Sequence, residues 1–375
     1  MPFLEVEELP VFCNVLWPTR EAALRAPRGD IRLGVCEGCG MVRNLAFDRE
    51  LVAYSPAYEN SLHFSPAFQA YAQSLADRLI ARYDLRGKDV IDIGSGKGDF
   101  LALLCERTGN RGVGFDPSYD GEELDESGRL EFVRDYYSDA YAERPADLIS
   151  CRHVLEHVES PRELVATVAR ASSKRGGTTL YFEVPDGGYM LREAAVWDVI
   201  YEHPSYFTAP ALRHLFEVSG LAVLDLGVAF GGQYLWIEAA HEGLGEPANG
   251  ASPAPAELAR HAGSFGRAYA DKVERWSERL ERFRQDGRRV ALWGAGSKGV
   301  TFLNVIPGGS GVETAIDLNV RKHGRFVPGT GTEVTSPEGL RSSPPDVVLV
   351  MNPLYEDEIR AQIDELGLRP EVLPV

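Results

Sequence analysis

Cysteine is scarce. Five residues in a chain of 375 are too few for a disulfide scaffold, and in a reducing compartment they stand as thiols, buried or metal-bound. No stretch reaches the about 18 uninterrupted apolar residues of a membrane-crossing helix. The opening, MPFLEVEELP, lacks both the cationic start and the apolar stretch of a secretory signal. The expectation is a cytoplasmic protein with no membrane partner. Runs of Lys and Arg are equally absent. With a formal charge of −17, most of the surface repels phosphate backbones, which disfavours a nucleic-acid substrate. What remains is a globular composition, 44% hydrophobic and 25% charged, at a length that suits two or three domains, each with its own core.

Residues 1–64 hold short apolar runs broken by Pro and Gly, with VCEGCG at 35–40, and read as a small β-rich module. From Ser65 to Tyr83, Phe68, Tyr71, Ala72, Leu75, Leu79 and Ile80 recur at helical spacing behind a Ser-Pro start, a cap followed by proline at the first helical position. Across 65–245, KDVIDI, RGVGF, ADLISC and TTLYFEV alternate with helices expected from Asp99 and Pro161 and with one helix-poor stretch. Such alternation makes the fold class α/β, a parallel sheet covered by helices on both faces. The segments LAVLDLGVA and QYLWIEAA suit an antiparallel edge pair. Residues 246–286 contain EPANGASPAPAEL, a linker by composition, then a helix from Arg267 to Gln285. Residues 287–375 begin a second, smaller strand and helix alternation with RRVALW, GAGSKG, TAIDLN and PDVVLVMNP, and close on an amphipathic helix around Glu356 to Leu366.

Two glycine loops punctuate this plan. In VIDIGSGKGDF, Asp92 ends an apolar strand, and Gly94, Ser95, Gly96 and Gly98 lead into a helix. Glycines there let the backbone turn sharply and approach a ligand closely, with amide groups at the helix start facing it. A pyrophosphate site wants the third glycine one residue later. The GxGxG spacing with Asp92 suits a cationic amine instead, and Asp116, followed by Pro117 at the end of RGVGFD, stands about 20 residues on, where a carboxylate accepts ribose hydroxyls.

The loop, Asp116 and ADLISCRHVLEHV (146–158) resemble the class I methyltransferase core, which implies S-adenosylmethionine as cofactor. The resemblance further implies that Asp135 lies near the adenine and that Arg152 and His153 border the methionine end. A cysteine-bearing amino-terminal module, this core and a carboxy-terminal Rossmann-like domain opening on WGAGSKG resemble, over nearly the whole chain, the C-methyltransferases of nucleotide-linked keto-deoxysugars. The segment DVIYEHPSYFT (198–208) is similar to that family's tyrosine, glutamate and histidine cluster, one residue shorter. Methylating carbon beside a ketone requires removal of a carbon-bound proton and stabilisation of an enolate. His203 is the candidate base, Glu202 its orienting partner or a substrate ligand, Tyr201 the third member of the cluster, and His157 a donor to the enolate oxygen. Tyr58 resembles the tyrosine that the family's amino-terminal module projects into the site, with Tyr54 as a competitor.

That module binds zinc through two CxxC pairs in the family, and four thiolates make a closed structural site. Cys36 and Cys39 supply one pair, whereas only Cys13 stands where the other is expected. Either a residue such as His63 completes the shell or hairpin packing replaces the metal. Cys105 and Cys151 read as buried thiols. The second loop, GAGSKG with Asp317 at the next strand end, meets the dinucleotide spacing, and Ser297 to Val300 with Lys298 offers a diphosphate site. The readings left open are C-methylation of a nucleotide sugar, O- or N-methylation of another small natural product, and a redox protein using the second loop. Oligomeric state is not fixed by the sequence.

Overall fold

In the computed structural model, which describes residues 1–53, 57–174, 177–241, 254–307 and 311–375, the amino-terminal apolar runs form an antiparallel meander. β1 (Pro2–Pro10) pairs with β2 (Arg28–Val35), and β2 with β3 (Val42–Asn44), while helix α1 (Arg20–Leu24) lies between the first two strands. Helix α2 (Pro66–Tyr83) begins as its sequence dictates. The Ser65 hydroxyl accepts the Phe68 amide at 3.3 Å, and Phe68, Ala72, Leu75, Ala76 and Leu79 form its buried face.

The middle unit contains β4 (Asp89–Ile93), α3 (Asp99–Cys105), β5 (Arg111–Phe115), β6 (Leu130–Val133), β7 (Leu148–Arg152), α4 (Pro161–Ser173), β8 (Thr179–Pro185), α5 (Gly187–Arg192), β9 (Ser205–Tyr206), α6 (Ala209–Glu217), β10 (Leu221–Ala229) and β11 (Tyr234–His241). Its seven-stranded sheet has the order β10-β11-β8-β7-β4-β5-β6. Strands β4 to β8 run parallel, and β11 and β10 follow as the antiparallel edge pair. This is the class I methyltransferase arrangement. Strand β6 occupies the stretch expected only to be poor in helix. The two-residue β9 leaves the main sheet and pairs with β3 instead, stitching the middle unit to the amino-terminal meander.

Helix α7 (Pro255–Gln285) starts well before Arg267. The Ala-rich segment behind Pro255 is helix-compatible, and Leu258, Ala262 and Phe265 bury its apolar face. Residues 246–253 of the expected linker lie outside the described residues. Beyond α7, β12 (Val290–Trp293), α8 (Ser297–Val305), β13 (Val312–Ile316), β14 (Glu333–Thr335), β15 (Val347–Val350), α9 (Glu356–Glu365) and β16 (Glu371–Pro374) build a five-stranded, all-parallel sheet ordered β14-β13-β12-β15-β16.

The expected module at 1–64 does not have a core of its own. Leu4 and Ile31 of the meander, Phe265 and Trp276 of α7, and Leu292 and Phe302 of the carboxy-terminal unit belong to one apolar cluster. The meander has too few strands to enclose a core alone, so it borrows the helix and the far sheet. Two further clusters fill the faces of the middle sheet. No helix among the described residues is long and apolar enough to cross a membrane.

Candidate active site

A cavity of about 520 Å³ opens where the three units meet. Asp92, Gly94, Ser95, Gly96, Asp116, Pro117, Asp135, Arg152 and His153 all contribute to its wall. Gly98 does not: it caps α3 and packs against Phe132. Two glycines show why the loop tolerates nothing larger. A Cβ at Gly94 would lie 2.0 Å from the Val154 side chain, while Gly96, at φ +56°, would point its Cβ into open space with no protein atom within 4 Å. One glycine serves packing and the other leaves room for a ligand. The Gly96 amide donates to Asp116 Oδ2 at 2.8 Å, and the Ser118 amide and hydroxyl donate to Oδ1 at 2.7 and 2.6 Å. Asp116 is thereby held rigid at the strand end, as a ribose-binding carboxylate needs to be. Asp92 accepts from Ser150 Oγ at 2.6 Å, and burial raises its carboxyl to about 6. The open cradle at Gly96, the fixed Asp116 and the buried Asp92 fit a nucleoside carrying an amino acid.

Glu183, missed in the sequence, organises the other side of this cleft. It is fully buried on β8 and accepts from Arg152 Nη2 at 2.9 Å and Nε at 3.1 Å, from Tyr181 at 2.8 Å and from Tyr71, with His153 Nε2 at 3.1 Å. Burial alone would raise its carboxyl; the Arg152 guanidinium and these donors hold it well below the usual range. His153 sits at φ +55° to reach it. The signal was available: a glutamate inside TTLYFEV, an otherwise apolar strand, is almost never buried unless paired.

The YEH segment divides. Tyr201 turns away from the cavity, stacks on Phe47 with its ring against Gly29, and accepts the Asp48 amide at 2.8 Å. Its role is to hold the meander in place, and the catalytic expectation for it is corrected. Glu202 is fully buried; it accepts from Tyr58 at 2.7 Å, from the Asn14 amide at 3.3 Å and from the Cys13 amide, and burial lifts its carboxyl to about 7 against the pull of these donors. Tyr58 and Asn14 line the cavity, so Glu202 acts on it through them. His203 lines the cavity directly, its ring centroid 4.6 Å from that of His157. Burial, then the neighbouring His157 and His153, push His203 well below the ordinary imidazole range and keep it neutral.

His157 also lines the cavity, but its Nδ1 lies 3.2 Å from the Glu202 carbonyl oxygen, which can only accept. This contact suits the tautomer with the ring hydrogen on Nδ1. Burial lowers His157 to about 4, so protonation does not supply a second hydrogen near neutral pH. Glu156 is the other residue that the sequence missed: it lines the cavity, with an oxygen atom and ring nitrogens of His157 and His203 all within 4.8 Å of one another. Tyr54 lies outside the described residues.

The three cysteines are not brought together. Cys13 is buried and hydrogen-bonds Thr301 of α8, whereas Cys36 and Cys39 pair with each other in the exposed turn between β2 and β3. His63 packs on Phe68 at the cavity mouth instead of joining them. A four-ligand zinc site does not fit this arrangement, because Cys13 follows the meander into the shared core.

The second loop closes on itself. The Ala295 amide donates to Asp317 Oδ2 at 3.0 Å, and the buried Lys322 ammonium donates to the same oxygen at 3.0 Å and to the Ala295 carbonyl at 3.3 Å. A lysine fills the position where a ribose would meet Asp317, which disfavours a dinucleotide there. Lys298 is ion-paired with Asp198 of the middle unit and borders the common cavity.

A C-methyltransferase from Streptomyces niveus, NovU, is 27% identical over 310 residues, 77% of this chain and 72% of its own. Among solved structures, magnesium protoporphyrin IX methyltransferase from Synechocystis with bound S-adenosylhomocysteine is 18% identical over 47% of this chain and 84% of its own, with a TM-score of 0.37. An S-adenosylmethionine-dependent methyltransferase from Mesorhizobium loti is 15% identical over 46% and 98%, with a TM-score of 0.35. The family model of a methyltransferase domain matches residues 68–226, and that of the C-methyltransferase C-terminal domain matches residues 257–369. The first surrounds the Gly96 cradle and the second the Lys322-closed loop, and together with the likeness to a curated C-methyltransferase they support an S-adenosylmethionine-dependent methyltransferase.

Proposed function

We propose that the protein methylates the carbon beside the ketone of a nucleotide-linked keto-deoxysugar, through an enolate, in natural-product biosynthesis. The observation that carries this reading is His203: a neutral imidazole on the wall of the same cavity that the Gly96 cradle and Asp116 line. S-adenosylmethionine supplies the electrophilic methyl group. Asp92, Gly94, Gly96, Asp116 and Asp135 are the residues to hold it, with Arg152 and His153 at the methionine end. His203 takes the carbon-bound proton, and Glu202 fixes Tyr58 and Asn14 against the substrate. Carbon as the acceptor is supported by the C-methyltransferase C-terminal domain and by the likeness to NovU. A nucleotide on the sugar is supported by the size of the cavity and by Lys298 at its carboxy-terminal wall.

The test is deuterium exchange. Purified protein incubated in D₂O with nucleoside-diphosphate keto-deoxysugars should introduce deuterium beside the ketone, and His203→Ala should abolish this while S-adenosylmethionine still binds. Methylation at oxygen or nitrogen without exchange would replace the carbon reading. Exchange undiminished in His203→Ala would remove the base assignment.

A further inference from the structure

Glu156 is 2% exposed, and its Oε2 has no hydrogen-bond partner. Leaving a buried carboxyl oxygen unpaired costs on the order of 1–3 kcal/mol, so native folds rarely keep one without a use. The turn that carries it, residues 155–157, packs against β9 and so holds Glu156 beside His203, just upstream of that strand. One carboxyl oxygen and the His157 and His203 nitrogens lie within 4.8 Å of one another on the cavity wall. The site thus has a proton acceptor in His203, with the Glu156 carboxyl beside it on the same wall. Enolate formation needs a hydrogen directed at the developing negative charge, and a protonated carboxyl at Glu156 carries one.

Resting on the carbon-methylation reading above, we infer that Glu156 is the catalytic residue that donates a hydrogen bond from its carboxylic acid to the enolate oxygen. In that step the carbon–hydrogen bond beside the ketone breaks, and the proton passes to a His203 nitrogen, giving an imidazolium. The released electron pair forms the carbon–carbon double bond of the enolate, and the former carbonyl electrons rest on oxygen, where the Glu156 hydroxyl meets them. The proton of Glu156 remains on Glu156 throughout. Its state is suited to this: burial, with the negative Glu183 adding, holds the carboxyl at about 8, against a lowering contribution from its own backbone. The groups facing it are Glu183 on β8, Cys151 on β7, His153 and His157 on its own segment and His203 ahead of β9. His157 and His203 stay neutral over this range, whereas Glu202, lifted to about 7 and bonded to Tyr58, also titrates near it; Glu156→Gln separates the two because it removes only the Glu156 step. An acid kept neutral by an apolar site is an established way to donate to an enolate.

The experiment uses the full chain with S-adenosylhomocysteine in place of the methyl donor and the nucleoside-diphosphate keto-deoxysugar that the wild type exchanges fastest. Loss of one such donor costs about 10²–10³ in rate, so Glu156→Ala should slow exchange by that factor with S-adenosylmethionine affinity retained. Glu156→Gln, which keeps an N–H donor, should recover most of the rate. It should also remove the decline in exchange that the wild type shows as pH rises through about 8. Wild-type exchange in Glu156→Ala would overturn the inference, and so would Glu156→Gln as slow as alanine. Exchange abolished by a chelator and restored by a divalent cation would overturn it too, by putting an ion in the donor's place. If the wild type exchanges no carbon-bound proton at all, the carbon reading itself fails, an outcome distinct from a wild type that exchanges and a Glu156→Ala variant that does so equally well.

Discussion

Replacing Gly96 with alanine separates what a glycine loop does for the fold from what it does for a ligand. At φ +56°, any residue with a Cβ is strained by roughly 1–2 kcal/mol. The added methyl meets no protein atom within 4 Å, so that strain is the whole cost to folding. Melting should fall by only a few degrees, at about 2–4 °C per kcal/mol for a chain of this order of size. Binding is another matter, because the methyl stands in the cavity where the cofactor approaches the loop. Overpacking of this kind costs about 1–3 kcal/mol, so affinity for S-adenosylmethionine should fall roughly five- to a hundredfold. Titration calorimetry with S-adenosylmethionine and S-adenosylhomocysteine reads this directly. Gly94→Ala is the control: its Cβ would sit 2.0 Å from Val154 and should depress melting far more. Wild-type affinity in Gly96→Ala, or identical melting of the two variants, would refute the assignment of Gly96 to the cofactor.

Glu183→Ala leaves the Arg152 guanidinium, whose side chain is 8% exposed, buried without its counter-charge. The loss should be about 3–5 kcal/mol and should abolish cofactor binding; normal binding would show that Arg152 and His153 need no anchor. Tyr201→Phe removes two hydrogen bonds with the Asp48 backbone, one accepted from its amide and one donated to its carbonyl, and should cost about 1–3 kcal/mol of stability with turnover unchanged, whereas a collapse of turnover would return Tyr201 to catalysis. Because the Glu156 carboxyl is raised from 4.5 to about 8 in the fold, the folded state binds its proton more tightly than the unfolded chain. The stabilisation is complete below the lower value and is lost as pH climbs through the upper one. At about 1.4 kcal/mol per pH unit, it amounts to up to about 4–5 kcal/mol. Urea unfolding across that window should show a decline in the wild type that is absent in Glu156→Gln, and parallel curves would contradict it.

The wall that gathers Asp92, Gly94, Gly96 and Asp116 was largely readable, because its constraints are local. A strand, a tight turn and a helix start lie within a dozen residues, and Asp116 follows at the end of the next strand. The Ser65 and Pro66 start of α2 and the β10 and β11 edge pair were visible for the same reason. What failed depended on distant packing. Tyr201 and His203 are two positions apart, and only β9 pairing with β3 decides that one faces the meander and the other the cavity. Glu156 sits beside His157 in the same five residues, but its value lies in an unpaired oxygen, which no spacing reports. Cys13 looked like a remnant of a metal site until the meander's shared core placed it against α8. The second loop matched a dinucleotide pattern better than the first, yet Lys322, five residues past Asp317, cancels it.

The shared apolar core has a consequence for how the chain is made. Arg28 donates to the carbonyl of Gly329, 301 residues away, and β1 and β2 meet the carboxy-terminal sheet only after that sheet has been synthesised. On the ribosome the first strands emerge early with the apolar face that meets α7 and the carboxy-terminal sheet uncovered, while the middle unit, whose contacts are nearer in sequence, can close first. Long-range closure of this kind is slow and exposes surface on the way. Truncation after α7 should therefore unravel the front of the molecule as well as removing its back, and dividing the gene between the units would strand the meander on whichever half carries it.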